Sequence, residues 1–80
     1  MKISILFFGV AQELASARQM VMEIPDGTSV ANLRGELALR FNGLDDTLAY
    51  AVAVNEKISQ HGRILNEGDV VAILPPVSGG

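Results

Sequence analysis

The chain has no cysteine and no tryptophan, and among its 80 residues there is one histidine, His61, and one tyrosine, Tyr50. Without thiols there is no disulfide framework and no thiolate metal site, and a single imidazole leaves zinc or haem short of ligands. The same shortage removes a cysteine nucleophile and a Ser-His-Asp grouping, and no glycine-rich loop precedes a lysine as nucleotide phosphates would require. Positive charge is also scarce. Six Lys and Arg stand against nine Asp and Glu, a net charge of -3, and the basic residues are scattered. Neutralising phosphates takes clustered Lys and Arg, so a nucleic-acid partner is not expected. No apolar run approaches the roughly 20 residues that span a bilayer, so neither is a membrane.

What is present is an apolar single domain. Hydrophobic residues make up 49% before the eight glycines are counted, whereas the usual figure of roughly 45 to 50% includes glycine. A domain this short sits near the lower limit for a core without staples, and this one carries more apolar surface than a self-contained monomer needs. At the start, Lys2, the run Ile3 to Ala11 and Ala15-Ser16-Ala17 imitate a short signal peptide. Ser4 and Gly9 break that run, and cleavage would remove what reads as a central strand. The expectation is therefore a cytoplasmic protein kept whole.

Lys2 to Phe8 reads as a strand with Ile3, Ile5 and Phe7 on one face and Ser4, Leu6 and Phe8 on the other. Gly9 ends it, and Val10 to Ala17 can form a short helical turn. Gln19 to Ile24 alternates as a strand with one buried face, Met20, Met22 and Ile24. Pro25-Asp26-Gly27 is a turn, and Thr28 or Ser29 is the cap of a helix whose Val30, Leu33, Leu37 and Phe41 recur at helical spacing. Gly35 inside it means either a close neighbour or a suboptimal site. Asn42-Gly43 closes the helix, and Leu44 to Thr47 is loop, with Asp45-Asp46 a loop pair rather than an acid/base dyad. Tyr50 to Val54 is a strand, Glu56 to His61 is polar around Ile58, Lys57 and His61 are solvated, and Ile64-Leu65 turns inward before the turn Asn66-Glu67-Gly68-Asp69. Val70 to Leu74 is the last strand.

One helix covers one face of such a sheet. If Ile3, Ile5, Phe7, Val71 and Ile73 lie beneath it, then Leu6, Phe8, Val70, Ala72 and Leu74 form an uncovered apolar face, which on a small domain marks a contact surface. A self-association face, or partial cover by the Val10 to Ala17 turn, are the competing readings.

Pro75-Pro76 stops the last strand, because proline has no amide hydrogen and a fixed φ. Beyond it lie Val77, Ser78 and the glycines Gly79 and Gly80, a thread that can pass where a Cβ would be rejected. Extended at about 3.3 to 3.6 Å per residue, positions 75–80 hold the final carboxylate roughly 20 Å from the body. A carboxylate is a weak nucleophile and a poor electrophile, so its chemistry needs activation elsewhere, for instance as an acyl-adenylate.

The run from Gly68-Asp69 through Val70-Val71-Ala72-Ile73-Leu74 into Pro75-Pro76-Val77-Ser78-Gly79-Gly80, with Leu6-Phe7-Phe8 and Val54-Asn55, resembles the small subunit of molybdopterin synthase (MoaD), a ubiquitin-like β-grasp sulfur carrier. The likeness spans essentially the whole chain. It implies an α+β fold, with a mixed four- to five-stranded sheet, one main helix on one face, and parallel first and last strands. The domain would be residues 1–74 and the extended tail residues 75–80. It further implies that the Gly80 carboxylate, presented by Gly79, is adenylated with ATP by an E1-like enzyme of the MoeB type and becomes a thiocarboxylate. No cofactor would be held permanently. The tail would enter the large subunit (MoaE) and give sulfur to precursor Z, a cyclic pyranopterin monophosphate, during molybdenum cofactor biosynthesis. Two sulfurs per product imply two small subunits and hence a heterotetramer. Leu6, Phe8 and Leu74 would dock on the partner, and Pro75, Pro76, Val77 and Ser78 would line the insertion path. Gln12 stands where many relatives have Arg, and Ser16 where Gly is common, which touches any partner contact of the short helix. Delivery of sulfur to thiamine thiazole or another acceptor, a ubiquitin-like modifier joined to lysines through Gly80, and a binding module with an incidental tail remain open alternatives.

Overall fold

The computed structural model describes residues 1–76, and its centre is a pair of parallel strands from opposite ends of the chain. Strand β1 (Lys2–Phe7) pairs with β5 (Val70–Leu74) in parallel, Ser4 opposite Val70 and Phe7 opposite Ile73. On the other side of β1 runs antiparallel β2 (Gln19–Glu23), with Ile3 opposite Met22. Beyond β5 come antiparallel β3 (Ala51–Val54) and the two-residue β4 (Lys57–Ile58). The order is β2-β1-β5-β3-β4, a five-stranded mixed sheet. With one main helix packed on it, this is the α+β, β-grasp arrangement that the sequence resemblance implies.

That helix, α2, runs Val30–Arg40. It starts where it does because Ser29 and Asn32 satisfy each other: Ser29 Oγ accepts from Asn32 N at 3.1 Å, and Asn32 Oδ1 accepts from Ser29 N at 3.2 Å. Ser29, not Thr28, is therefore the cap, while the Thr28 hydroxyl donates to Pro25 O. Val30, Leu33 and Leu37 are buried against Ile3, Ile5, Phe7, Val71 and Ile73 in one core cluster. Phe41 caps the end of α2 in extended conformation and meets Phe7 edge to face, ring centroids 5.8 Å apart. Nothing lies within 4 Å of a Cβ built at Gly35, so of the two readings of that glycine the suboptimal site is the one observed.

Several local expectations needed correction. The short helix α1 is Val10–Ala15, ended by Ser16 with φ 55°, and its Ala11 and Ala15 join the same core. Its Leu14 packs where a Cβ on Gly43 would sit. It thus shares the core with α2 and does not shield the opposite face. The segment after α2, for which the sequence predicts loop, buries Leu44 completely and forms a 3₁₀ turn, Asp46–Leu48, capped by Asp45. Tyr50 is buried but precedes β3, and of Ile64-Leu65 only Leu65 turns inward, since Ile64 lies half exposed beside its bridge partner Ser29.

Candidate functional site

The face of the sheet turned away from α2 carries a groove of about 520 Å³. Its floor follows from register. Leu6 lies opposite Ala72, Ala72 opposite Ala53, and Ala53 opposite Ile58, so four apolar side chains cross four strands in one row. A second row holds Leu74, paired with Ala51, and Phe8, whose N–H reaches Ile73 O at 3.3 Å and carries the ladder one step past β1. Phe8 keeps 44% of its surface exposed and Ile58 71%. Large apolar side chains left in water on one face are the usual mark of a surface that another molecule covers.

The tail begins at the edge of this groove. Leu74 is its last strand residue, and Pro75, partly buried, follows directly. On one flank β1 turns away at Gly9, whose backbone (φ 53°, ψ -134°) suits glycine and whose Cβ position lies 3.7 Å from Pro75 Cγ. On the other, β3 has its first residue, Ala51, opposite Leu74. Both neighbours thus diverge at the level where proline removes the donor, and the chain leaves the middle of the sheet without a strand beside it. A larger depression of about 560 Å³ lies near the Pro25-Asp26-Gly27 turn. It sits at the β2 end that pairs with Lys2, the far end of β1 from the tail.

Of the residues singled out from the sequence, Leu6, Phe8 and Leu74 come together in the groove, with Pro75 and Pro76 leaving from it. Val77, Ser78, Gly79 and Gly80 lie outside the described residues. Ile58 and Glu56 were not singled out. A two-residue strand has too little alternation to betray itself, and only its pairing with β3 brings Ile58 onto the floor.

The turn between β3 and β4 is tied to the start of β5. Asn55 Nδ2 donates to Asp69 Oδ1 at 2.9 Å, Asn55 Oδ1 accepts from Val70 N at 2.9 Å, and Asp69 Oδ2 accepts from Asn66 N at 2.8 Å. Two titratable groups are displaced, both away from the groove. Hydrogen bonds from the Thr47 hydroxyl and amide hold Asp45 below its ordinary value. Burial pushes Tyr50 up, although the Arg34 guanidinium 4.1 Å over its ring opposes this, and the same Arg34 donates to Tyr50 O at 3.0 Å. Among the described residues no three His, Cys, Asp or Glu side chains converge as a metal site, and none of their helices is long and apolar enough to cross a membrane. The arrangement can dock and present. Among the described residues the one ionisable side chain lining the groove is that of Glu56.

Comparison with known proteins agrees with this division of labour. The molybdopterin synthase sulfur carrier subunit of Mycobacterium tuberculosis is 35% identical over 82 residues, covering 99% of this chain and 98% of the relative. The subunit of the same name from Arabidopsis thaliana is 32% identical over 80 residues, covering 99% and 83%. Among solved structures, a chain from the complex of subunits 1 and 2 of the molybdopterin-converting factor of Helicobacter pylori superposes with a TM-score of 0.70 at 29% identity, over all of both chains. SAMP1 of Haloferax volcanii, at 21% identity and a TM-score of 0.87 over all of both chains, shares the fold. Residues 5–80 match the ThiS family, and the chain belongs to it.

Proposed function

We propose that this protein is the sulfur-carrying small subunit of a molybdopterin synthase, inactive alone and acting through its C-terminal tail. The observation that carries the reading is the junction of groove and stem: an open apolar face ends at Leu74, and the chain leaves at Pro75 with no strand beside it. Full-length relatives of the same name support the choice of acceptor.

The chemistry assigned to this chain is confined to Gly80. Its carboxylate oxygen attacks the α-phosphorus of ATP in an E1-like enzyme of the MoeB type, and pyrophosphate leaves. Hydrosulfide from a sulfur donor then attacks the acyl carbon, AMP leaves, and a thiocarboxylate remains. Inside the large subunit (MoaE) that sulfur attacks a carbon of the cyclic pyranopterin precursor and displaces the oxygen substituent there, and water then cleaves the acyl–sulfur bond, leaving the sulfur on the pterin and restoring the carboxylate. Gly79 and Gly80 give a thread slim enough for both active sites, while Val77 and Ser78 follow the proline stem into the partner. Leu6, Phe8 and Leu74 are the docking residues. Two sulfurs per dithiolene put two copies of this chain in a heterotetramer, working in the cytoplasm where ATP is supplied. The protein holds no cofactor of its own.

The test combines the chain with the adenylating enzyme, a sulfur donor, ATP, the large subunit and the precursor. The intact mass of the charged chain should report one oxygen exchanged for sulfur, and dithiolene product should form. A variant lacking Gly80 should yield neither, and product at the normal rate from that variant overturns the reading. A charged chain that supplies thiazole synthesis but no dithiolene moves the assignment to the thiamine branch.

A further inference from the structure

At the tip of the β3–β4 hairpin two consecutive non-glycine residues have positive φ, Asn55 at 51° and Glu56 at 72°. Val54 pairs with Lys57, so these two residues are the entire loop. Positive φ at both is the mark of a type I′ turn, usually filled by Asn-Gly. Asn55 suits the first position, and its side chain clamps the turn to Asp69 and Val70. Glu56 does not suit the second. A glutamate lacks the short side chain that supports left-handed backbone, and glycine is favoured there on conformational grounds alone.

Yet Glu56 lines the outer groove, and it is the one charged side chain among its nine lining residues. It is exposed, and among the described residues it forms no ion pair. A residue kept in an unfavourable conformation by its neighbours, at the rim of a surface that otherwise has no charge, is the pattern expected where binding and not folding chose the side chain.

We infer that Glu56 is a specificity-determining residue of the docking face, taking an arginine or lysine of the large subunit at the hairpin rim while apolar side chains of that partner fill the floor between Phe8 and Ile58. This rests on the function proposed above. An apolar partner closing over the carboxylate would strip its water without compensation, so the partner's rim must be basic. An apolar floor alone also fixes orientation poorly. One charge at its edge sets register, speeds encounter and turns away partners with an acid in the same place.

The experiment measures association of the full chain with purified large subunit at low and at high ionic strength. Glu56→Gln should slow association and weaken binding about two- to fivefold at low ionic strength, with the difference fading as salt screens the pair. Glu56→Lys should weaken it by about tenfold or more. Glu56→Gly should raise the melting temperature and still bind as weakly as Glu56→Gln, which separates the effect from any loss of fold. Glu36→Gln, which removes an exposed carboxylate of α2 for the same change in net charge, should bind as wild type. If Glu56→Gln and Glu56→Gly keep wild-type affinity and salt dependence while Phe8→Ala weakens binding by roughly 30-fold, this inference is overturned and the proposed function stands. If the wild-type chain does not bind the large subunit, both are overturned.

Discussion

The two faces of this sheet are built from the same strands and nearly the same residue types, and they have opposite fates. Ile3, Ile5, Phe7, Val71 and Ile73 are buried with α2, whereas Leu6, Phe8, Val70, Ala72 and Leu74, one residue out of step along the same two segments, remain partly or largely exposed. Composition does not separate the two sets. Cover does. The inner set contributes its transfer free energy when the domain folds, while the outer set is free to contribute when another surface arrives.

The sharpest way to test this division is to truncate one residue on each face. Leu37→Ala beneath the sheet should cost about 2 to 5 kcal/mol in denaturant unfolding, because a completely buried side chain leaves a cavity. Phe8→Ala should cost below about 1 kcal/mol in the same experiment but weaken binding of the large subunit by roughly 30-fold, as loss of a central aromatic anchor does. Equal stability losses for the two variants would break the comparison. Asn55→Ala crosses the boundary, since it releases Asp69 and Val70 N together. We expect about 1 to 3 kcal/mol of lost stability together with weaker docking, because the hairpin that carries Ile58 loosens. Gly35→Ala should do the reverse, adding about 1 kcal/mol of stability with docking unchanged, because its Cβ meets open space on the solvent side of α2. A change in docking there would mean that the faces are coupled.

The smallest expected effect belongs to neither face. Thr47 bonds depress the folded pKa of Asp45, so the stability they bring is present above the ordinary value of 3.8 and is lost as pH falls through the lower folded value. Thr47→Ala should therefore unfold at lower denaturant than wild type at pH 7. The gap should narrow in acid, and a gap independent of pH would remove the assignment.

Much of the inner face was legible in the chain. Ile3, Ile5 and Phe7 alternate, Val30, Leu33 and Leu37 recur at helical spacing, and the Gly68-Asp69 turn precedes Val70 to Leu74, each a local period or turn that needs no knowledge of distant contacts. The outer groove was half legible. Leu6, Phe8 and Leu74 follow from the same alternation, but Ile58 reaches the floor only through a pairing two residues long. Leu44 was read as loop because a single apolar residue among Gly43, Asp45 and Asp46 has no period, and its burial is decided by the helices around it. The α2 cap was ambiguous between Thr28 and Ser29 until Asn32 answered Ser29. Charge at the hairpin tip carried no signal, since Glu56 in a polar stretch looks like any solvated residue until its backbone angle and its place on the groove are known together.

Because β1 finds its parallel neighbour only in β5, the middle of the sheet cannot assemble until Val70–Leu74 has been made. On the ribosome the first strand must wait, unpaired on that side, until β5 has emerged. An unfinished product therefore offers no completed platform to its partners, and the strand that completes the platform is the one that hands the chain on to the proline stem. The apolar face that a partner could cover is thus complete only when β5 has joined β1.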